Sequence, residues 1–283
     1  MNYLLLIISV FSMIAHNGLS NSACKQKLKK VGDLHYFNML MYLVCVVLFA
    51  LMAIGKGISF YTAGMGILFG VVTMLAGFYK LLALSRGPMH ITILITTSSM
   101  IIPALSGVVL FDEAFSAMKL VAIVALLFFI YLSSKTGGEQ RISKKWFLYC
   151  ALSFLFQGAI GVLQKVHQSS SHKDELFAFL VLSFLCSLTL SAWNARRGER
   201  EVKFGGGLYG MAFVCGICTF TMNFLNLRLS GVLPSQLFFP VVNGGALIFT
   251  SLCAVLIFKE KMSRRQMIGL IGGIAALIGV CVL

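Results

Sequence analysis

The chain has 283 residues, of which 59% are hydrophobic and 11% are charged, and its formal net charge is +14. Soluble proteins carry about 25% charged residues, so this composition excludes a separate water-facing domain and, with it, a nucleic-acid partner. The apolar runs are too long for the roughly ten-residue strands of a membrane β-barrel. The sequence therefore predicts an all-α membrane protein in contact with the lipid bilayer.

In chain order, the apolar segments predict ten transmembrane helices, each near the roughly 20 residues that a bilayer core requires. They lie at about 2–24, 34–54, 60–84, 88–110, 116–133, 146–168, 174–195, 205–229, 233–258 and 264–283. The first could instead be a secretory signal, but no basic residue precedes its apolar core, so we expect a retained helix. The longest loop, at about 134–145, contains two glycines and mixed charge and separates residues 1–140 from residues 141–283.

The two parts match each other when they are aligned 140 residues apart. The matched pairs are Asn17 with Gln157, Lys25 with Lys165 and Phe37 with Phe177. An acid in a short turn between apolar segments also recurs, at Glu113 and at Glu260, with Ser116 and Ser263 three residues later. We interpret the parts as two five-helix repeats, and an odd number of helices forces the second repeat to lie inverted in the bilayer.

Basic residues are distributed unevenly between the loops on the two sides. All but five of the 23 follow odd-numbered helices, and the five exceptions are Lys56, Lys119, Lys165, Lys173 and Arg228. Because Lys and Arg favour the cytoplasmic side, we expect a multi-pass protein of the cell (plasma) membrane with both termini outside. Lys80 belongs to the majority group, and we expect it to snorkel to the interface, although it could also meet an anionic substrate.

Polar residues at mid-membrane depth are costly, so they should face a partner helix or a cavity. They are concentrated on predicted helices 1, 3, 4, 6, 8 and 9, which are equivalent in the two repeats, and they are sparser on helices 2, 5, 7 and 10. This pattern predicts one polar cavity between the halves. The candidate substrate-binding residues are Asn17, Asn21, Thr73, Thr96, Ser99, Gln157, Gln164, Thr219, Asn223, Gln236 and Asn243. For the single Ser and Thr residues, helix packing is the competing interpretation.

Small residues and prolines mark helix contacts and helix breaks. The third helix carries a stripe of small or polar residues at Gly66, Gly70, Thr73, Gly77 and Lys80. Three Gly-x-x-x-Gly motifs predict close helix packing: Gly66 with Gly70, Gly206 with Gly210 and Gly269 with Gly273. The third motif also offers a surface for a homodimer. Pro103 and Pro240 predict either flexing points or ordinary kinks in helices 4 and 9.

All nine acidic residues lie in loops or at helix ends, so no carboxylate is expected at mid-depth to bind a proton or a cationic drug. His16 is a weak candidate for ion coupling because histidine titrates near neutral pH, and a hydrogen-bonded structural role is the alternative. Cys215 and Cys218 have metal-site spacing without a second pair of ligands. The sequence predicts neither an enzyme nor a metal or cofactor site.

One set of motifs resembles a known family. The second half contains Leu227-Arg228-Leu229-Ser230, then Pro240, then Phe258-Lys259-Glu260-Lys261-Met262-Ser263, Gln266 and Gly269. This pattern resembles the ten-helix EamA-like members of the drug/metabolite transporter superfamily. The first half departs from it at Lys119 and Ala122, where the family often has Gln and Gly, and the outside termini expected here differ from the family's usual inside placement.

The resemblance implies a secondary transporter that works by alternating access. Together with the polar residues, it leads us to expect a carrier for an amino acid or a similar neutral, zwitterionic or anionic solute. A multidrug exporter of the same superfamily and a non-transporting membrane scaffold or receptor subunit are the alternatives.

Overall fold

A computed structural model shows an all-helical chain, with no strand in the residues that it describes, which are 2–26, 28–55, 57–111, 117–134, 143–257, 259 and 263–282. The α-helices are α1 Asn2–Gln26, α2 Val31–Ala53, α3 Phe60–Arg86, α4 Met89–Thr97, α5 Ile101–Phe111, α6 Ala117–Ser134, α7 Lys144–Gln168, α8 Leu176–Arg197, α9 Gly206–Ser230, α10 Ser235–Leu256 and α11 Arg264–Val282. Short 3₁₀ segments, Ser98–Met100 and Lys173–Glu175, precede α5 and α8. The predicted all-α class is confirmed.

Seven helical segments of the described chain are long and apolar enough to cross a membrane. They are Tyr3–Lys25, Val31–Ala53, Phe60–Arg86, Met89–Leu110, Lys144–Gln168, Lys173–Arg197 and Gly206–Ser230. Their number indicates a multi-pass membrane protein, because only a helix can satisfy its backbone hydrogen bonds within a single lipid-exposed segment.

The distribution of polar side chains is the reverse of that in a soluble protein. Large apolar side chains such as Phe11, Val47 and Leu51 are exposed on the outside of the bundle, whereas polar ones such as Asn17 and Ser183 are buried inside. Lipid hydrocarbon solvates the apolar side chains, but it offers the polar side chains no hydrogen-bond partner. The exposed apolar surface is therefore the surface that faces lipid.

The fourth predicted helix is interrupted, which corrects the prediction of a continuous segment over residues 88–110. Its two parts, α4 and α5, are separated by the 3₁₀ turn at Ser98–Met100. Pro103 lies just after this turn, and a proline lacks the N–H and crowds the carbonyl four residues earlier, which here belongs to Ser99. Ser98 Oγ donates to the carbonyl of Leu94 at 2.7 Å, which also disturbs the regular pattern.

The helices pack across the two halves of the sequence as much as within them. α2 lies along α8, and α6 lies along α11. α3 contacts α7 and α8, and in the same way α9 contacts α1 and α2. The core is therefore built from helices of both halves, and neither half forms a separate body.

Acidic residues connect the halves at both ends of the bundle. Asp33, at the start of α2, is buried and accepts hydrogen bonds from the backbone N–H groups of Glu201 and Val202 at 3.3 and 3.4 Å. Glu175, just before α8, accepts from the N–H and the hydroxyl of Ser59 at 3.0 and 2.8 Å. Each acid thus holds the segment that precedes a long helix of the other half.

The start of α11 explains part of the motif that follows the second acidic turn. The N–H of Ser263 donates to Gln266 Oε1 at 2.8 Å, and the N–H of Gln266 donates to Ser263 Oγ at 3.3 Å. This reciprocal pair is a capping box, which satisfies two backbone donors at a helix start. Glu113, Ser116 and Glu260 lie outside the described residues.

The Gly-x-x-x-Gly motifs differ in what they contact. A Cβ atom at Gly66 would lie 3.2 Å from the carbonyl oxygen of Phe179, and one at Gly70 would overlap the carbonyl oxygen of Ser183. Gly206 and Gly210 instead face open space, so the predicted packing role is wrong for them within this chain. Both lie on the exposed face of α9, whereas Leu208 and Ala212 on its other face are buried.

We expect Gly70→Ala to destabilise the protein by about 1–3 kcal/mol, the usual cost of overpacking, because the new methyl group would meet the rigid backbone of α8. Gly64→Ala, in the same helix but facing open space, is the matched control and should be neutral or slightly stabilising. Thermal unfolding of the purified proteins in detergent measures both, and equal melting temperatures would contradict this packing.

Candidate substrate cavity

The face of α3 that turns inward carries Thr73, Gly77 and Lys80, which lie on one side of a helix because they are spaced by four and three residues. Tyr42 of α2 packs against this face, where its hydroxyl donates to the carbonyl oxygen of Thr73 at 3.2 Å. A Cβ atom at Gly77 would lie 2.5 Å from the Tyr42 hydroxyl. Glycine is therefore required for this close approach.

A cavity of about 110 Å³ lies beside this face, between the two halves. It is lined from α1, α2, α3, α5, α7, α9, α10 and the 3₁₀ turn at Ser98–Met100. This volume is the space open to the centre of a water-sized sphere, and one water molecule needs about 10–15 Å³ of it. The cavity therefore has room for several waters or a small solute. Its polar side chains are enclosed by helices that are apolar on their outer faces.

Most of the sequence-predicted site residues come together on this wall. Those that line the cavity are His16, Thr73, Ser99, Gln157, Gln164, Thr219, Asn223 and Asn243. The amide nitrogens of Asn223 and Asn243 donate to carbonyl oxygens one turn earlier in their own helices, at 2.9 and 2.8 Å. Their amide oxygens take no part in these two bonds.

The other predicted residues lie elsewhere. Asn17 and Asn21 are buried behind the wall, and Thr96 donates to the carbonyl oxygen of Thr92 at 2.9 Å within α4. The side chain of Gln236 lies outside the described residues. Asn17 and Thr96 lie on the same helix faces as lining residues, so the sequence pattern groups them together. In the structure, part of each of these faces lines the cavity and part packs against a neighbouring helix.

Lys80 is the main residue that the sequence prediction misplaced. Its side chain is 8% exposed and lines the cavity, and its Nζ donates to Asn17 Oδ1 at 2.6 Å. Asn17 Nδ2 in turn lies 3.4 Å from Thr250 Oγ1 of α10. The lysine thus points inward rather than to the membrane surface, and its place in the stripe of Gly66, Gly70, Thr73 and Gly77 was the signal for this.

The second helix, α2, also contributes more residues to the cavity lining than its composition indicated. Asn38, Met41 and Tyr42 of α2 line the cavity, although few mid-depth amides led us to expect little from this helix. Asn38 is 1% exposed, and both polar atoms of its amide have no hydrogen-bond partner within the described protein. Asn38 is a single amide within a long apolar segment, and this feature of the sequence would have identified it as a candidate lining residue.

Two further buried polar atoms of the lining lack a partner in the described part of the chain. They are His16 Nδ1 and Thr73 Oγ1. Buried polar groups in proteins are nearly always hydrogen-bonded, to ordered water or ligand where no protein group is available. The cavity is therefore lined in part by residues whose buried polar atoms are unsatisfied. No cluster of three or more potential metal ligands occurs among the described residues.

Comparison with models of known protein families and with curated proteins gave no match. Among solved structures, one described only as "Crystal structure of protein" superposes on this chain with a TM-score of 0.66. The two sequences are 14% identical, and the match covers 97% of this chain and 98% of that one. The likeness shows that the two chains share a fold, which extends over almost their whole lengths.

We expect Asn17→Leu to destabilise the protein by about 1.5–3 kcal/mol, the contribution of a buried hydrogen bond to a charged group, because Lys80 would lose its partner. In the Lys80→Met background the same change should cost at least about 1 kcal/mol less, since no charge remains to be satisfied.

Asn21→Leu is the matched control for this cycle, because Asn21 is equally buried on α1 and neither polar atom of its amide has a partner among the described residues. It should be neutral or stabilising. Thermal unfolding of the four proteins in the cycle and of the control gives the coupling, and strictly additive losses would show that Asn17 does not support Lys80.

Proposed function

We propose that this protein is a secondary transporter of a small metabolite, related in plan to the drug/metabolite transporters, and that it works by alternating access. The observation that carries the proposal is the cavity with polar side chains that lies between the halves and receives residues from both. A membrane scaffold has no need for such a cavity. A carrier needs one, because its solute must leave water and find polar partners inside the protein.

The helix contacts support ten spans arranged as two inverted repeats. When each helix of the first half is exchanged for its counterpart in the second, the contact of α3 with α7 becomes the contact of α9 with α1. The contact of α3 with α8 likewise becomes that of α9 with α2. The hydrogen bonds of Asp33 and Glu175 follow the same exchange and lie at opposite ends of the bundle.

The interrupted helix supports alternating access, because it gives the bundle a point at which a helix can bend. Ser99, Met100 and Pro103 line the cavity at the point where α4 gives way to α5. Discontinuous helices at mid-membrane depth are typical of transporter binding sites, because they bend easily and present backbone groups to the solute. A change of angle here would alter the cavity on one side without unfolding either helix.

The lining also favours a metabolite carrier over an exporter of cationic drugs. No acidic side chain of the described lining residues is available to attract a cation, and Lys80 would repel one. The polar groups are instead amides, hydroxyls, the imidazole of His16 and one ammonium, which recognise neutral, zwitterionic or anionic solutes. The proposal makes the chain a carrier and not an enzyme, since the site offers binding groups without a nucleophile–base pair.

Gln157→Leu should impair transport by about tenfold or more in a correctly folded protein, because a polar group of the bound solute would lose its partner. The solute is first found by thermal-shift screening against amino acids, sugars, nucleosides, organic anions and cationic drugs, and flux is then measured in proteoliposomes. Gln168→Leu, on the same helix but away from this cavity, is the control and should retain flux. Equal flux in both variants would contradict the assignment of this cavity as the binding site of the solute.

The charge distribution predicts the orientation of the bundle, which cysteine labelling can test. Lys29→Cys and Ser171→Cys place exposed thiols in the segments after α1 and after α7, at opposite ends. If the basic side is cytoplasmic, a membrane-impermeant maleimide should label Ser171→Cys in intact cells and Lys29→Cys only after permeabilisation. The parent chain, whose described cysteines are buried or partly buried, is the background control. The reverse pattern would place the termini inside.

A further inference from the structure

We infer that the solute is a small organic monoanion, whose carboxylate binds to Lys80 and whose apolar body lies against the methionines and phenylalanines of the cavity. This inference rests on the proposed transport function and assigns its substrate class.

The first step is the charge of the site. Lys80 is the one side chain with a fixed charge among the described residues that line the cavity, and it forms no ion pair in the described part of the chain. Asn17, its partner at 2.6 Å, is a neutral amide. A buried ammonium held only by an amide retains most of its electrostatic cost, and that cost is removed when an anion enters.

The second step is the number of hydrogen bonds that Lys80 can still form. An ammonium group has three N–H donors, and Asn17 Oδ1 accepts one of them. Long side chains on a helix lean towards its N-terminus, which directs Lys80 from its place near the end of α3 towards Gly77 and Thr73 on the cavity wall. Two donors therefore remain for the two oxygens of one carboxylate.

The third step is the set of polar atoms that lack partners. His16 Nδ1, Thr73 Oγ1 and the amide of Asn38 line the same cavity and are each more than nine-tenths buried. None of them carries a fixed charge. Their residues add uncharged polar groups to the lining and do not neutralise a second charge. The site is therefore matched to a single negative charge with additional uncharged polar contacts.

The fourth step is the apolar part of the wall. Its largest side chains include Met13, Met41, Met100, Met222, Phe238 and Phe239. Methionine side chains are flexible and polarisable and adapt to ligands of different shape. This apolar wall suits a solute with a hydrocarbon body better than it suits a sugar. The charge of the site separately disfavours a doubly charged phosphate, because Lys80 alone would leave the second negative charge unpaired.

Net charge separates this class from the amino acids. A zwitterion would bring its own ammonium into a cavity whose described lining holds no carboxylate, so the bound complex would keep the charge of Lys80. A monoanion leaves the complex neutral. We therefore expect carboxylates to bind more tightly than amino acids with the same carbon skeleton.

The test uses four compounds built on one skeleton: 4-methylpentanoate, its uncharged amide, leucine and 4-methylpentylamine, which is a cation at pH 7. Their dissociation constants are measured by calorimetry on the full-length protein in detergent. The carboxylate should bind at least about tenfold more tightly than each of the other three, a difference well within the resolution of the method. Equal or tighter binding of the amide or of leucine would overturn the inference, as would no binding of the carboxylate.

The variant Lys80→Met should lose the preference for the carboxylate over the amide. Lys165→Met is the control, because Lys165 is half-buried, lies away from the cavity and donates to the carbonyl oxygen of Ser230 at 3.3 Å. It should keep the preference. An undiminished preference in Lys80→Met would contradict the inference, and the comparison on the unaltered protein stands even if this variant does not fold.

Failure of this inference differs from failure of the proposed function. If leucine or the amide binds better and Gln157→Leu still abolishes flux of that compound, the protein is a carrier with another substrate class. If the carboxylate binds through Lys80 but proteoliposomes show no flux of it, the site is as inferred and the transport proposal fails.

Discussion

The structure depends on one constraint, which is that a polar group buried inside a lipid-embedded bundle must find its partners within the protein or in what the protein binds. Lys80 shows how the constraint acts. Its ammonium contacts Asn17 of α1, and Asn17 lies next to Thr250 of α10, so one polar chain joins three helices from both halves. The same contacts that hold the ammonium therefore fix the position of the cavity wall.

The ends of the bundle meet the constraint in a different way. Asp33 and Glu175 are held by backbone N–H groups and a serine hydroxyl of the opposite half, near the surfaces of the bundle. Asp33 is fully buried, so its carboxylate depends on these donors as Lys80 depends on Asn17. The difference is that backbone N–H groups supply most of the contacts at the ends, whereas a side-chain amide holds the lysine.

The sequence predicted the helical class, and most helix ends agree with the structure to within two or three residues, because composition and length determine them. It could not predict the 3₁₀ turn at Ser98–Met100, although it identified Pro103. A proline at that position is compatible with a kink, a bulge or a short 3₁₀ turn, and tertiary contacts choose among them. Here Gly158 and Gly161 of α7 allow Ile102 and Pro103 to pack closely, which depends on a helix more than fifty residues away.

Lys80 shows why the site was harder to predict than the fold. A lysine near the end of a membrane helix usually extends its ammonium to the interface, and this rule placed it there. Two features act against the rule. α3 continues to Arg86, so Lys80 lies more than one turn inside the helix, and Asn17 offers an acceptor on the inner side. The Gly66–Lys80 stripe indicated the inward face but not the acceptor. Only the folded arrangement, in which α1 crosses α3 at this level, brings the two side chains together and turns the lysine into part of the cavity.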